Sequence, residues 1–99
     1  DAAIETLRKA DGGALAHYYL GKAHVARRHY DASLTSFEAA KTAGYNSDDC
    51  MLAIADVYRL KGDADEAIKM LDGLSGAIEQ TAEYLYQRAS TVAALNGQP

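Results

Sequence analysis

The arrangement of small and large residues in this chain recurs with a period of 34 residues. Leu20 and Gly21 are followed 34 positions later by Ile54 and Ala55. The same offset relates two longer sets: Tyr30, Ser33, Phe37 and Ala40 correspond to Ala64, Ala67, Leu71 and Leu74. A period of this length is typical of stacked supersecondary units, so it constrains the fold more than any single residue does.

The recurring segments have the composition and boundary signals of helices. The only proline is Pro99, so nothing earlier in the chain forbids continuous helix. Capping residues and glycines divide the chain into six predicted helices. These are Ala2 to Ala10, Ala14 to Arg27, Ala32 to Ala43, Asp48 to Lys61, Ala64 to about Leu74, and Ala82 to Leu95. The predicted caps are Asp1, Asp31, Ser47, Asp63 and Thr81, and the predicted stops are Gly12-Gly13, Gly44, Gly62 and Asn96-Gly97.

Gly21 lies in the interior of a predicted helix, where glycine is less favourable than alanine by about 1 kcal/mol. A glycine at such a position usually has a packing reason. Small residues at a helix crossing let two backbones approach, while large residues fill the neighbouring gaps. We therefore expect a second helix to cross at Gly21 too closely for a side chain.

The order and spacing of these residues resemble the tetratricopeptide repeat, whose pattern is W-x2-L-G-x2-Y…A-x3-F…P. Leu20-Gly21 match the Leu-Gly pair, and His17, His24, Ser33, Phe37 and Tyr45 stand at the remaining positions. In the second repeat these places are filled by Met51, Ile54, Ala55, Tyr58, Ala67 and Leu71. The resemblance implies an all-α fold, a right-handed superhelix of antiparallel helix pairs, or tetratricopeptide-like solenoid, of about six helices. It implies one domain over 1–99: 1–13 ends a preceding repeat, 14–47 and 48–81 are two repeats, and 82–99 is the first helix of a third.

In this family, the first helix of each pair lines a concave groove. The resemblance implies groove positions at Leu15, Tyr18, Lys22 and Val25 in the first repeat, Leu52, Asp56 and Arg59 in the second, and Tyr84, Gln87 and Thr91 in the third. Tyrosine is enriched at binding hot spots, and the charged positions would orient a peptide. The chain is therefore expected to be a scaffold that binds a protein or peptide, with a merely solvated inner face as the alternative.

The last predicted helix carries a broad apolar set: Tyr84, Leu85, Tyr86, Ala89, Val92, Ala93 and Leu95. This set is wider than the ~100° stripe that one buried side requires. Exposed apolar surface of this kind tends to find a partner. The alternative function is therefore a structural spacer or self-associating segment of a longer array, with a homodimer formed through Tyr84, Tyr86 and Val92.

The charge and hydropathy of the chain argue against two classes of partner. Ten basic and fourteen acidic residues give a net charge of −4, which opposes binding to a nucleic-acid backbone. No apolar run approaches the ~20 residues of a membrane span. The chain begins without a methionine and is expected to be a piece of a longer protein, weakly favoured to be cytoplasmic.

The residues that could carry metal or catalytic chemistry are few. His17, His24 and His29, with Cys50, offer imidazole and thiolate ligands for zinc or copper. However, no Cys-x2-Cys or His-Glu-x2-His spacing is present, and two of the histidines stand at packing positions. Cys50 has no accompanying base-orienting pattern that would make it a nucleophile. We therefore expect no cofactor, no metal and no enzymatic activity.

Overall fold

The computed structural model describes residues 13–74 and 76–97, and every regular element in these ranges is a helix. The α-helices are α1 (Ala14–Ala26), α2 (Tyr30–Thr42), α3 (Ser47–Lys61), α4 (Ala64–Asp72) and α5 (Ala82–Asn96), and a 3-10 helix (Gly76–Gln80) precedes α5. The prediction of an all-α fold is confirmed for this part of the chain. The predicted helix from Ala2 to Ala10 lies outside the described residues.

The chain divides into two compact units, Asp1–Cys50 and Met51–Pro99. In the first unit, α1 and α2 pack closely against each other. In the second unit, α5 packs against α4 and the 3-10 helix. The core of the second unit is a cluster of buried apolar side chains: Leu52, Ala55, Leu71, Leu74 and Tyr84.

Helices α1 and α2 meet at Gly21, where the space for a side chain is already filled. A Cβ atom on Gly21 would lie 2.6 Å from Cε1 of Phe37, closer than Cβ contacts occur in proteins. Phe37 is only 1% exposed, and its ring packs against the ring of Tyr18 with centroids 5.6 Å apart, so it has little room to move. The prediction that a close helix crossing requires glycine at position 21 is confirmed.

Two of the predicted helix caps form hydrogen bonds of the expected kind. The carboxylate of Asp63 accepts from the backbone N–H of Glu66 at 3.3 Å and caps α4. The hydroxyl of Thr81 accepts from the backbone N–H of Tyr84 at 3.2 Å and caps α5. Each satisfies one of the amides that the first turn of a helix leaves unpaired.

The caps predicted for α2 and α3 are wrong by one or two residues. Helix α2 has His29 at its N-cap with no side-chain hydrogen bond, and Asp31 lies inside the first turn. Its early start follows from the preceding turn, which leaves His29 alone between the end of α1 and Tyr30. At α3, Asn46 caps in place of Ser47, because its side-chain oxygen accepts from the N–H of Asp49 at 3.1 Å.

Helices α1 and α3 end in the same way, 34 residues apart. The amide of Arg28 donates to the carbonyl of Val25 at 2.9 Å, and the amide of Gly62 donates to that of Arg59 at 3.1 Å. Both residues have positive φ, 62° at Arg28 and 93° at Gly62, as the left-handed residue after a helix commonly has. Arg28 therefore takes a conformation that glycine adopts without strain, whereas a Cβ atom makes it unfavourable.

We predict that Gly21→Leu lowers the free energy of unfolding by more than ~2 kcal/mol, because overpacking a close crossing commonly costs 1–3 kcal/mol. Urea unfolding followed by circular dichroism measures the change. Ala23→Leu, on the exposed side of the same helix, is the matched control and should leave stability nearly unchanged. Equal stability of the two variants would show that Gly21 is not at a helix crossing.

We predict that Arg28→Gly raises the free energy of unfolding by about 1 kcal/mol, since it removes the Cβ that disfavours a left-handed residue. Gly62→Ala should have the opposite effect at the equivalent position in α3. Thermal and urea unfolding of both variants measure these changes. Destabilisation by Arg28→Gly would mean that contacts of the arginine side chain outweigh its backbone strain.

Candidate functional site

The predicted groove positions of the first unit form an aromatic surface around Tyr18, on α1. The Tyr18 ring stacks on Tyr45 with centroids 4.5 Å apart and planes 18° from parallel. Tyr19 meets Tyr18 edge to face at 5.9 Å, and Lys22 places its Nζ 5.4 Å from the centroid of the Tyr18 ring. We call these four residues, Tyr18, Tyr19, Lys22 and Tyr45, the tyrosine–lysine surface.

The packing beneath Tyr18 explains why this surface has a defined shape. The buried ring of Phe37 supports Tyr18 from α2, while Tyr45 follows the left-handed residue Gly44 at the end of that helix. The amide of Tyr45 donates to the carbonyl of Ala40 at 3.0 Å, which closes the turn and places the ring beside α1. Backbone and core packing therefore hold the stacked pair before any ligand binds.

The chemistry of this surface combines apolar area with one positive charge. Tyr19 is 52% exposed and Lys22 is also exposed, so both are accessible to a partner. Burial, together with the neighbouring Tyr18 and Asp49, raises the pKa of Tyr45 above its usual value, so its phenol stays a neutral donor. Aromatic faces contact proline or apolar side chains, and an ammonium binds carboxylates. Leu15 and Val25, the other two predicted groove positions of α1, are half-buried.

Four predicted groove residues of the second unit lie in its interior. Leu52, Tyr84, Gln87 and Thr91 are all at most 5% exposed. Leu52 and Tyr84 belong to the apolar core, and the Tyr84 hydroxyl approaches the carbonyl of Leu71 at 3.5 Å. The expectation that these four residues line an open groove is corrected, because the side of α5 that carries three of them faces inward.

Asp56 and Arg59, the remaining groove residues, form an ion pair with each other on one side of α3. Their side chains are 26% and 21% exposed, and the pair satisfies much of the charge on both. The Nε atom of Arg59 is enclosed and has no hydrogen-bond partner among residues 13–74 and 76–97. This pairing makes Asp56 and Arg59 less available to a ligand than the sequence suggests.

A second exposed surface lies on α5 and is apolar. Leu85, Tyr86 and Val92 are 56%, 67% and 39% exposed. Leu85 and Val92 also border a shallow, open depression of about 540 Å³, together with Arg88, Ala89, Ala93 and Asn96. Of the residues predicted for self-association, Tyr86 and Val92 lie on the exposed surface of α5, whereas Tyr84 is buried and is corrected. Leu85 and Ala89 were missed, although their spacing from Val92 at four and three residues places all three on one side of a helix.

Arg88 marks the edge of that apolar surface and is held by its own chain. Its Nη1 atom lies 2.6 Å from a carboxylate oxygen of Asp72 and 3.4 Å from the Tyr84 hydroxyl. The hydrogen bond to Asp72 raises the pKa of the guanidinium, which therefore stays charged. The arrangement ties the start of α5 to the end of α4.

The residues considered for metal and thiol chemistry are placed as follows. The rings of His24 and His29 lie 6.1 Å apart, and His17 is half-buried on α1. Among the described residues, no group of three or more His, Cys, Asp or Glu side chains is close enough to hold a metal ion. Cys50 is buried, and burial together with Asp49 raises the pKa of its thiol, which disfavours the reactive thiolate.

Comparisons of the chain with protein-family models, with curated proteins and with solved structures find no match. In the part of the chain that the structure describes, no helix has the length and apolar character needed to cross a bilayer. The functional argument therefore depends on the two surfaces described above.

Proposed function

We propose that this chain is a tetratricopeptide-like binding module that recognises an extended peptide segment through the tyrosine–lysine surface. The observation that carries the proposal is the stacked Tyr18–Tyr45 pair with Lys22 over its outer ring. The 34-residue correspondence supports the family assignment, because Arg28 and Gly62 end their helices identically. The fitting ligand is a segment with a proline or apolar side chain next to a carboxylate.

Binding is favoured over catalysis by the state of the one thiol. Cys50 is buried and its pKa is raised, so it lacks the exposure and thiolate character of a nucleophile. The acidic balance of the chain favours a protein or peptide over a nucleic acid as the partner. The ligand's carboxylate then pairs with Lys22, one of the ten basic residues.

A displayed library of random 12-residue peptides, selected on the purified chain, tests this proposal. Selected peptides should combine an aromatic or proline residue with Asp, Glu or a free C-terminus. We predict that Lys22→Glu weakens their binding at least tenfold, since a charged hydrogen bond is worth roughly 1.5–3 kcal/mol. Isothermal titration calorimetry measures the change.

Two further variants make that experiment decisive. Tyr19→Ala removes an exposed ring without opening the core and should also weaken binding, whereas Lys69→Glu, an exposed lysine on α4, should not. Peptides that bind the Lys22→Glu and Tyr19→Ala variants as tightly as the unaltered chain would contradict the proposal. A selection that yields no binder would do the same.

A second candidate function is self-association through α5, which the exposure of Leu85, Tyr86 and Val92 favours. Contiguous exposed apolar surface commonly marks an interaction site. Because one short helix face offers less area than a standard interface, we expect dimers at high micromolar concentration. The net charge of −4 does not prevent this, since the face itself is uncharged.

We predict that the double variant Tyr86→Glu, Val92→Lys is monomeric at concentrations where the unaltered chain forms dimers, because the new charges would be buried at the interface. Multi-angle light scattering measures the mass. The matched control is Thr35→Glu with Thr42→Lys, which introduces the same charges at exposed positions of α2 and should leave the dimer intact. An unaltered chain that stays monomeric at hundreds of micromolar would defeat the proposal.

A further inference from the structure

Helix α5 has its polar and apolar sides reversed relative to an ordinary surface helix. Its buried side carries Gln87 and Thr91, and the side-chain oxygen of Gln87 is enclosed without a hydrogen-bond partner in the described part of the chain. Its opposite side carries Leu85, Ala89 and Val92, all exposed. A helix on a protein surface normally turns its apolar side inward. This apolar side is therefore built to be covered.

The internal repeat shows what kind of element covers it. Ala89 follows Ala55 by 34 residues, just as Ala55 follows Gly21. Gly21 is covered by Phe37 of the next helix, and Ala55 is fully buried in a cluster with Leu71, again from the next helix. The corresponding positions of α1 and α3 thus pack against a helix, with a small residue at the point of contact. The same pattern on α5 calls for a helix that crosses at Ala89.

We propose that the covering helix is α5 of a second copy, packed antiparallel about a two-fold axis at Ala89. This proposal rests on the self-association proposed above and specifies its geometry. In a two-fold pair, positions at equal distances before and after the axis face each other. Leu85 then faces Ala93 of the other copy, four residues to either side of Ala89, and Tyr86 faces Val92, three residues to either side. Each pairing sets a larger residue against a smaller one, so the face is complementary to itself.

Charge is compatible with this pairing. None of the residues that face each other is charged, so two copies meet without repulsion at the contact. Arg88, at the edge, already holds Asp72 of its own chain at 2.6 Å, which leaves its charge compensated. The 15 residues of α5 span about 22 Å, so the contact is small and the dimer is expected to depend strongly on concentration.

Disulfide trapping of single-cysteine variants tests the geometry. A disulfide forms only when two Cα atoms come within about 7 Å, and identical residues meet this condition only near the two-fold axis. Ala89→Cys is the test variant, and Ala94→Cys is the matched control: it is equally exposed but lies about 140° around the same helix. The buried Cys50 is present in both, and the unaltered chain shows whether it contributes.

We expect Ala89→Cys to form a covalent dimer at least about tenfold faster than Ala94→Cys under mild oxidation, because pairing raises the effective concentration of its thiols. Adding Val92→Lys should abolish that difference. Light scattering on the unaltered chain separates two failures. If dimers form but both cysteines cross-link at equal rates, the two-fold pairing at Ala89 is wrong and self-association stands. If only monomer is found at hundreds of micromolar, both proposals are wrong.

Discussion

The contact of the Phe37 ring with the bare backbone of Gly21 is the interaction on which the first unit depends. With no side chain at position 21, α2 comes close enough for its aromatic ring to fill the space over α1. The same ring then supports Tyr18, and Tyr18 supports Tyr45. The tyrosine–lysine surface is thus the outer layer of a stack that begins at a glycine. A change at the crossing would reach the proposed binding surface through packing alone.

The sequence predicted the helices well because the signals that end and begin a helix are local. Asp63 and Thr81 cap α4 and α5 as their positions indicated, and Gly44 takes the left-handed conformation with φ of 103°. The caps of α2 and α3 were misplaced because several capping residues stand side by side there. The geometry of the preceding turn chooses among them, and a residue-by-residue scan does not contain it.

The candidate site was harder to predict, for a different physical reason. Helical periodicity shows which residues share a side of α5, but it does not show which side turns inward. The positions that carry Tyr84, Gln87 and Thr91 were expected to be open, yet they are buried, while the apolar side with Leu85 and Val92 is exposed. An argument from hydrophobicity alone would have buried Leu85. Tyr45 was seen as a substitute for a proline, and its stacking on Tyr18 depends on the turn that follows α2.

The buried state of Cys50 gives the chain a built-in reporter of its local dynamics. It is the only cysteine in the sequence, it has no measurable exposure, and it lies in the first turn of α3. A thiol reagent can modify it only when that turn opens, so the modification rate at neutral pH reads the free energy of a local opening event. When that free energy is lower than the one for global unfolding, the start of α3 separates from its surroundings while the rest of the protein stays folded. Small-molecule labelling of a single native atom can therefore distinguish local breathing from cooperative unfolding in this chain.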